Sequence, residues 1–316
     1  MNEILTDFLT FTEAGLYCRY GDFYIDPLLP VACALVSHAH GDHARPGSGR
    51  VYCTPPTEAI MRSRYGKKAA TAFMLIDYQH SFKLKDVEVV FISAGHILGS
   101  AQILMLYRGI RYLYTGDYKM QSDTTCEPLQ YAQADVLITE STFARPSVTH
   151  PDPVEEIKKL SGTPYNILLG TYGLGKAQRL TDLINTHCPE KTVLLHYSIL
   201  PIHKIYEQYG VGHLRYQPYD RKIMKRNDRG YIYLVPPLTF NSYFRAKNLV
   251  KAFASGWAYL QQRNDISLYI SDHVDWQDIL SYIEKVKPRE IWTLHGDGKD
   301  LKAHYEHRLS VRILNE

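Results

Sequence analysis

The chain has 316 residues, of which 45% are hydrophobic and 22% charged, and its formal net charge is +3. This length can bury one large core or two, and this composition excludes a fibrous or disordered chain. The first 15 residues lack the basic-then-apolar pattern of a signal peptide, and no segment has the uninterrupted apolar length of a membrane helix. We therefore expect a cytoplasmic protein that does not contact a membrane.

Short β-rich apolar runs that end in polar residues characterise the first half of the chain, and the pattern returns near the C-terminus. Residues at strand ends can converge on one rim of a sheet, so the pattern predicts a single site assembled from the whole chain. The predicted strands, each with the polar residue that follows it, are Phe23–Ile25 (Asp26), Ala34–Val36 (His38), Val87–Ile92 (His96), Tyr112–Tyr114 (Asp117), Val136–Ile138 (Glu140), Ile266–Ile270 (His273) and Glu290–Leu294 (His295).

Between Glu140 and His273 the pattern changes to alternating helices and strands, which predicts a smaller α/β unit inserted into the first domain. Helices are predicted at 152–160, 174–185 and 201–209, and strands at 166–169, 192–195 and 231–235. The predicted domains are residues 1–145, an inserted unit at 146–254, and a return segment at 255–316.

Cysteines and net charge give little functional information. The five cysteines are widely spaced without a C-x-x-C pair, which argues against a disulfide framework or a zinc ribbon. A net charge of +3 does not by itself indicate nucleic-acid binding. One local basic run suits either a solvated surface or a phosphate-contacting patch. It consists of Arg221, Lys222, Lys225, Arg226 and Arg229.

The string His38-Ala-His40-Gly-Asp42-His43 concentrates three imidazoles and a carboxylate just after a predicted strand. Such ligands suit divalent transition ions, and a site without thiolates usually keeps a position open for water. Gly41 permits a tight loop, so that alternate residues can face two different ions. A lone H-x-H pair would be weak, but the full string predicts a metal site. Zinc, manganese and iron all suit these ligands.

Together with Gly95-His96, Gly116-Asp117 and His295, this string resembles the metallo-β-lactamase superfamily, over the whole chain except the inserted unit. The resemblance implies an αββα sandwich with two divalent metal ions at one edge. Two such ions can activate a hydroxide and stabilise charge on both reacting oxygens, which suits a phosphodiester, a thioester or a lactone. The implied ligands are His38, His40 and His96 for one ion, Asp42, His43 and His295 for the other, Asp117 between them, and Asp26 behind the histidine loop.

The inserted unit resembles the reduced cap of the β-CASP nucleic-acid hydrolases. Its Gly173–Arg179 segment looks like the glycine-led helix of that cap, so Lys176 and Arg179 are candidates to bind phosphate at a helix N-terminus. An ordinary helix start is the simpler alternative. Glu140 and Ser271-Asp272-His273 resemble motifs A and B, which implies that His273 protonates the leaving 3′-oxygen. The expected catalytic residues are His273, Glu140, Asp42 and Asp117.

His295 matches motif C, whose histidine is typical of the RNA-processing branch and of many prokaryotic members, so this motif leaves DNA and RNA open. The segments Phe23–Pro27 and His43–Gly49 resemble the bacterial ligase-associated DNA exonucleases, which favours DNA over RNA. That resemblance implies DNA repair beside an ATP-dependent DNA ligase and a helicase. We therefore predict a two-metal exonuclease for single-stranded DNA or strand ends. The alternatives are an RNA-processing ribonuclease, a small-ester or thioester hydrolase, and a non-catalytic binding subunit.

Overall fold

The computed structural model describes residues 2–220, 222, 230–242, 249–262 and 264–314. Apart from Lys222, the basic run between Arg221 and Arg229 therefore lies outside the described residues. The chain divides into two compact units. The first comprises Met1–Ser122, Cys126–Thr149 and His273–Glu316, and the second comprises Asp123–Thr125 and His150–Asp272. Within the described ranges, no helix combines the length and the apolar character required to cross a bilayer.

Two mixed sheets form the first unit. The first sheet has the order β1-β2-β3-β4-β5-β6 and the second has the order β19-β18-β11-β10-β9-β8-β7. The strands of the first sheet are β1 (Thr10–Thr12), β2 (Gly15–Cys18), β3 (Phe23–Ile25), β4 (Cys33–Leu35), β5 (Ser48–Cys53) and β6 (Ala70–Leu75). Those of the second are β7 (Ser81–Leu84), β8 (Val87–Ser93), β9 (Ala101–Tyr107), β10 (Ile110–Tyr114), β11 (Val136–Glu140), β18 (Glu290–Leu294) and β19 (Ser310–Ile313).

The second unit contains one six-stranded sheet of the order β14-β13-β15-β12-β16-β17, and every strand pair in it is parallel. Its strands are β12 (Asn166–Gly170), β13 (Thr192–Leu195), β14 (Gln217–Pro218), β15 (Tyr231–Val235), β16 (Leu249–Ala254) and β17 (Ile266–Leu268). The described helices of the whole chain are α1 (Pro55–Tyr65), α2 (Pro153–Lys158), α3 (Lys176–His187), α4 (Leu200–Gln208), α5 (Pro237–Ser242), α6 (Trp276–Val286) and α7 (Lys299–Tyr305).

Helices cover both outer faces of the two-sheet unit. One apolar core contains residues from both sheets, such as Phe23 of β3 and Ile103 of β9. A second cluster joins the other face of β10 and β11 to α6, whose buried residues recur at the helical spacing that forms one apolar stripe. Met61 of α1 packs with Val51 of β5 on the outer face of the first sheet. Sheets packed face to face between helical layers bring loops from both sheets to the same edges.

The chain returns to the first unit at a later residue than the sequence predicts. The sequence predicts that the return segment begins at residue 255, whereas the structure keeps β17 in the third sheet, where it pairs with β16. The first unit resumes only at His273. A short strand that adds to the edge of a neighbouring sheet has no signature of its own, because its membership depends on the pairing partner. The seven strands predicted to end at the site belong to three different sheets.

His203, on α4 in the second unit, is buried and neutral. Its Nδ1 accepts from Gln178 Nε2 at 2.9 Å, and its Nε2 lies 3.0 Å from the hydroxyl of Thr181, which itself donates to the Ala177 carbonyl. Burial lowers the pKa of His203 to about 4. Because the unfolded imidazole titrates near pH 6.5, this group's stabilising contribution is complete above that pH and declines as the pH falls toward about 4.

We therefore expect His203→Gln to reduce the acid sensitivity of folding. The difference in unfolding free energy between the two proteins should change by up to about 3 kcal/mol between pH 6.5 and pH 4, with the wild type losing more. Urea unfolding followed at stepped pH values measures this difference. The other histidines are present in both proteins, so their contributions to this difference cancel. Parallel pH profiles would show that His203 is not the acid-sensitive group.

Candidate metal centre

The loops that follow β4 and β8 bring three imidazoles together. His38 Nε2 and His96 Nε2 each lie 3.1 Å from His40 Nδ1. His38 and His96 are buried, and His40 is partly buried. Burial lowers the pKa of His38 well below its ordinary value, so its ring is neutral, the state in which an imidazole binds a metal ion.

The spacing of these nitrogens fits a divalent transition ion. Two imidazole nitrogens on one tetrahedral zinc ion are separated by about 3.3 Å, given Zn–N distances of about 2.0–2.1 Å. Asp117 adds a carboxylate oxygen, which lies 3.6 Å from His38 Nε2 and 3.7 Å from His96 Nε2. The donor atoms of His38, His40, His96 and Asp117 all lie within 4.8 Å of one another. Three imidazole nitrogens and one carboxylate are an ordinary transition-metal ligand set.

Asp117 also faces the other predicted ligands. Its Oδ2 lies 3.4 Å from His43 Nε2, and this nitrogen lies 3.8 Å from Asp42 Oδ2. The rings of His43 and His295 are 5.0 Å apart between centroids. Burial opposes ionisation of Asp117, but the imidazoles of His43 and His273 outweigh it and hold its pKa well below the usual range. The structure thus brings all seven predicted ligands into one region, with Asp42 at its exposed margin.

Asp26 organises this region from behind the histidine loop. Its Oδ2 accepts hydrogen bonds from His43 Nδ1 at 2.8 Å, from the Ser37 hydroxyl at 2.6 Å and from the Tyr114 hydroxyl at 2.8 Å. Its Oδ1 accepts from the Ser37 backbone N–H at 2.7 Å. Burial disfavours the charged ring of His43, yet the carboxylates of Asp117 and Asp26 outweigh burial and hold its pKa well above the usual range. The bond to Nδ1 directs Nε2 toward Asp117.

Two residues of this network, Ser37 and Tyr114, were not predicted from the sequence. Ser37 immediately precedes the predicted ligand His38, and Tyr114 lies three residues before the predicted ligand Asp117. This proximity is the only local signal that they carry. The structure further gives Asp26 a φ of 43° and His295 a φ of 51°. Non-glycine residues in this left-handed region carry a conformational cost and concentrate at functional sites.

Asp26→Asn should weaken metal binding about 10- to 100-fold, because the neutral amide no longer holds His43 Nδ1 as a donor. Asparagine tolerates the left-handed backbone, so the variant isolates the hydrogen-bond network from the loop conformation. Competition with a chelator of known affinity measures the change. A folded Asp26→Asn protein with wild-type metal affinity would refute the proposal that Asp26 supports metal binding through His43.

His273 and Glu140 form the predicted pair beside Asp117. His273 Nδ1 lies 2.9 Å from Glu140 Oε2 and 3.9 Å from Asp117 Oδ2. Glu140 is 1% exposed, and its second oxygen accepts a hydrogen bond from the Tyr118 backbone N–H at 3.0 Å. The buried carboxylate therefore fixes both the orientation and the tautomer of His273. Nε2 is then the ring atom that can exchange a proton, and the side chain is 27% exposed.

Lys176 and Arg179 lie at the start of α3, as expected, but they are only 5% and 2% exposed. Lys176 Nζ donates to the Ile270 carbonyl at 2.9 Å, and Arg179 Nη1 donates to the Ser271 carbonyl at 2.7 Å. Asp272 Oδ1 lies 3.3 Å from Arg179 Nη1. Their phosphate-binding role stays a prediction. In the structure, the two cations hold the segment that leads into His273.

No family model matches the chain. The chain is 31% identical over 300 residues to a probable DNA ligase of Opitutus terrae, which covers 89% of this chain and 28% of the relative. It is 30% identical over 187 residues to an RNase J-like protein of Methanocaldococcus jannaschii, covering 50% of this chain and 44% of the relative. It is 27% identical over 240 residues to the endoribonuclease YSH1 of Candida glabrata, covering 60% and 31%. The chain thus spans less than half the length of each of these relatives.

Among solved structures, the chain is similar to a protein of unknown function from Enterococcus faecalis V583. The TM-score is 0.62 at 17% sequence identity, over 90% of this chain and 79% of that one. A likeness at this identity shows a shared fold and carries no information on activity.

Proposed function

Because the chain belongs to the β-CASP branch of the metallo-β-lactamase superfamily, we propose that it is a two-metal nuclease that hydrolyses phosphodiester bonds of single-stranded DNA or of DNA ends. The observation that carries the proposal is the position of Asp117 between two groups of side chains. One group is the imidazole cluster of the metal centre, and the other is the His273–Glu140 pair. Metal ligands and an oriented proton donor around one carboxylate suit hydrolysis of a phosphodiester.

We assign the metal ligands as the resemblance implies. His38, His40 and His96 would hold one ion, and Asp42, His43 and His295 the other, with Asp117 between them. Two bound ions supply a nucleophilic hydroxide and stabilise negative charge on the phosphate. The ion type follows availability among zinc, manganese and iron, which all accept nitrogen and carboxylate ligands. In this proposal the two-sheet unit is the metallo-β-lactamase αββα sandwich, and the inserted unit is a reduced β-CASP cap.

His273 is assigned as the general acid. Glu140 accepts the Nδ1 proton of the ring, which keeps Nε2 as the atom that delivers a proton to the leaving 3′-oxygen. A thiolate leaves without protonation, so this pair favours a nuclease over a thioester hydrolase.

DNA is favoured over RNA by the relative that is named a DNA ligase, to which the chain is similar over most of its length. The same likeness supports a functional association with an ATP-dependent ligase, and with a helicase, in the repair of DNA ends. The relatives named for RNA cleavage support an RNA-processing ribonuclease as the second candidate.

The proposal is tested with end-labelled DNA and RNA oligonucleotides of one sequence, each incubated with the purified chain and zinc, manganese or iron. We expect single-nucleotide products from DNA with at least one metal, a smaller rate on RNA, and no products with chelator. Faster cleavage of RNA would select the second candidate. No cleavage of either polymer with any metal would refute nuclease activity.

A further inference from the structure

Four basic side chains on segments that contact or continue from the histidine loop have no role in the proposed chemistry. Arg45 follows the last residue of the histidine loop by two positions, and Arg64, Lys67 and Lys68 lie at the end of α1 and in the turn after it. All four are exposed. Within the described part of the chain, none of them forms an ion pair, whereas the neighbouring Arg62 pairs with Glu58. The four are called the basic tract below.

The basic tract is anchored to the metal-binding loop. Arg64 Nη1 donates to the Ala39 carbonyl at 2.6 Å, between His38 and His40. A side-chain carbon at Gly41 would approach Arg64 Nη2 to 2.9 Å, so the guanidinium lies directly over this loop. The segments that carry the other cations meet where the Gly47 N–H donates to the Ala69 carbonyl at 3.2 Å.

An open depression continues from this meeting point. Its volume is about 420 Å³, and both lysines of the tract contribute to its wall. The residues that line it are Pro46, Gly47, Lys67, Lys68, Ala70 and Thr71. No acidic residue is among them, so the depression presents positive charge and small side chains. This shape and charge suit a polyanion better than an apolar ligand.

The dipole of α1 explains only part of this charge. Cations in the last turn of a helix are favoured by its negative end, which accounts for Arg64. Lys67 and Lys68 lie beyond the last residue of α1, and Arg45 belongs to a different loop. Convergence of cations from separate segments is what a bound phosphate chain requires.

We propose that the basic tract binds the sugar-phosphate backbone of the single-stranded DNA substrate next to the metal centre. This inference rests on the proposed nuclease function and adds a substrate-binding surface to it. Contacts between lysine or arginine and phosphate fix the position of a strand without reading its sequence. The tract gives the segment His43–Gly49 a function, since this loop places Arg45 and one wall of the depression.

The test compares Lys67→Glu/Lys68→Glu with a control, Lys83→Glu/Lys302→Glu, which changes the net charge equally at exposed lysines of the same unit. Binding of a fluorescent single-stranded 20-mer is measured by anisotropy in EDTA, which separates affinity from cleavage. We expect the tract variant to raise Kd tenfold or more at 50 mM salt. The slope of log K against log salt should fall by about 1.4, because two phosphate contacts are lost. The control should remain within about twofold of the wild type.

Hydrolysis of bis(p-nitrophenyl) phosphate, which has no second phosphate to bind the tract, is measured with metal present. The tract variant should keep this activity while its kcat/KM on the 20-mer falls about tenfold. Lys67→Gln/Lys68→Gln replaces the double glutamate variant if that protein does not fold, with about half the effect on log Kd expected. Unchanged DNA affinity or an equal loss in the control would each overturn the inference. A wild-type chain that binds DNA but hydrolyses neither substrate would instead refute the proposed function. The anisotropy result would still show whether the tract binds DNA.

Discussion

His273→Ala is expected to slow hydrolysis of single-stranded DNA about 10²- to 10⁴-fold and to leave metal content unchanged. The reason is the geometry of the pair: Nδ1 is held 2.9 Å from the buried Glu140, which suits the proposed role of the ring as a proton donor beside the metal ligands. Single-turnover cleavage at saturating enzyme measures the chemical step, and elemental analysis of the same sample counts the ions.

A comparison of leaving groups separates acid catalysis from a structural effect. The rate of His273→Ala on bis(p-nitrophenyl) phosphate should fall far less than its rate on DNA, because nitrophenolate leaves without protonation. Glu140→Gln should show the same selectivity with a smaller loss on DNA. Equal losses on both substrates would remove the general-acid assignment. Loss of an ion from His273→Ala would make this histidine a ligand instead.

Asp117→Ala should disrupt both metal binding and DNA cleavage. The carboxylate lies within 4 Å of imidazole nitrogens of four histidines, which are His38, His43, His96 and His273. We expect loss of at least one ion and a fall in the cleavage rate of about 10³-fold or more, since the ions contribute several kcal/mol to stabilising the transition state. Elemental analysis and single-turnover cleavage, made on one preparation, measure the two effects.

Asp86→Asn serves as the control for this variant, because it removes an exposed carboxylate in the turn between β7 and β8 of the same unit. It should keep wild-type rate and metal content. An Asp117→Ala protein that retains two ions and cleaves DNA at the wild-type rate would remove Asp117 from the metal centre.

The sequence predicted strands best where a buried run is short and sharply bounded. The bounds of β3, β13, β15 and β18 agree with the prediction to the residue. Helix α1 was not predicted, because Ile60 and Met61 are its only large apolar buried residues and its surface is mostly polar. The helix that carries Arg64 of the basic tract was therefore not evident from the sequence.

The spacing of residues in the sequence also could not predict which distant residues an individual side chain contacts. The cluster between His38 and His43 predicted ligands from residue type alone, and the structure brings their nitrogens together. The contacts of Ser37 and Tyr114 with Asp26 depend on pairing between distant strands. In the same way, the burial of Arg179 against Asp272 depends on a residue 93 positions away, which no helix-start motif encodes.

The number of metal ions bound per wild-type chain tests the central claim most directly. The chain is stripped with chelator, loaded with zinc or manganese in separate samples, freed of excess ion by gel filtration, and measured by inductively coupled plasma mass spectrometry. The ligand geometry around Asp117 predicts about two ions per chain with at least one of these metals. A folded chain that retains no zinc and no manganese would contradict the claim.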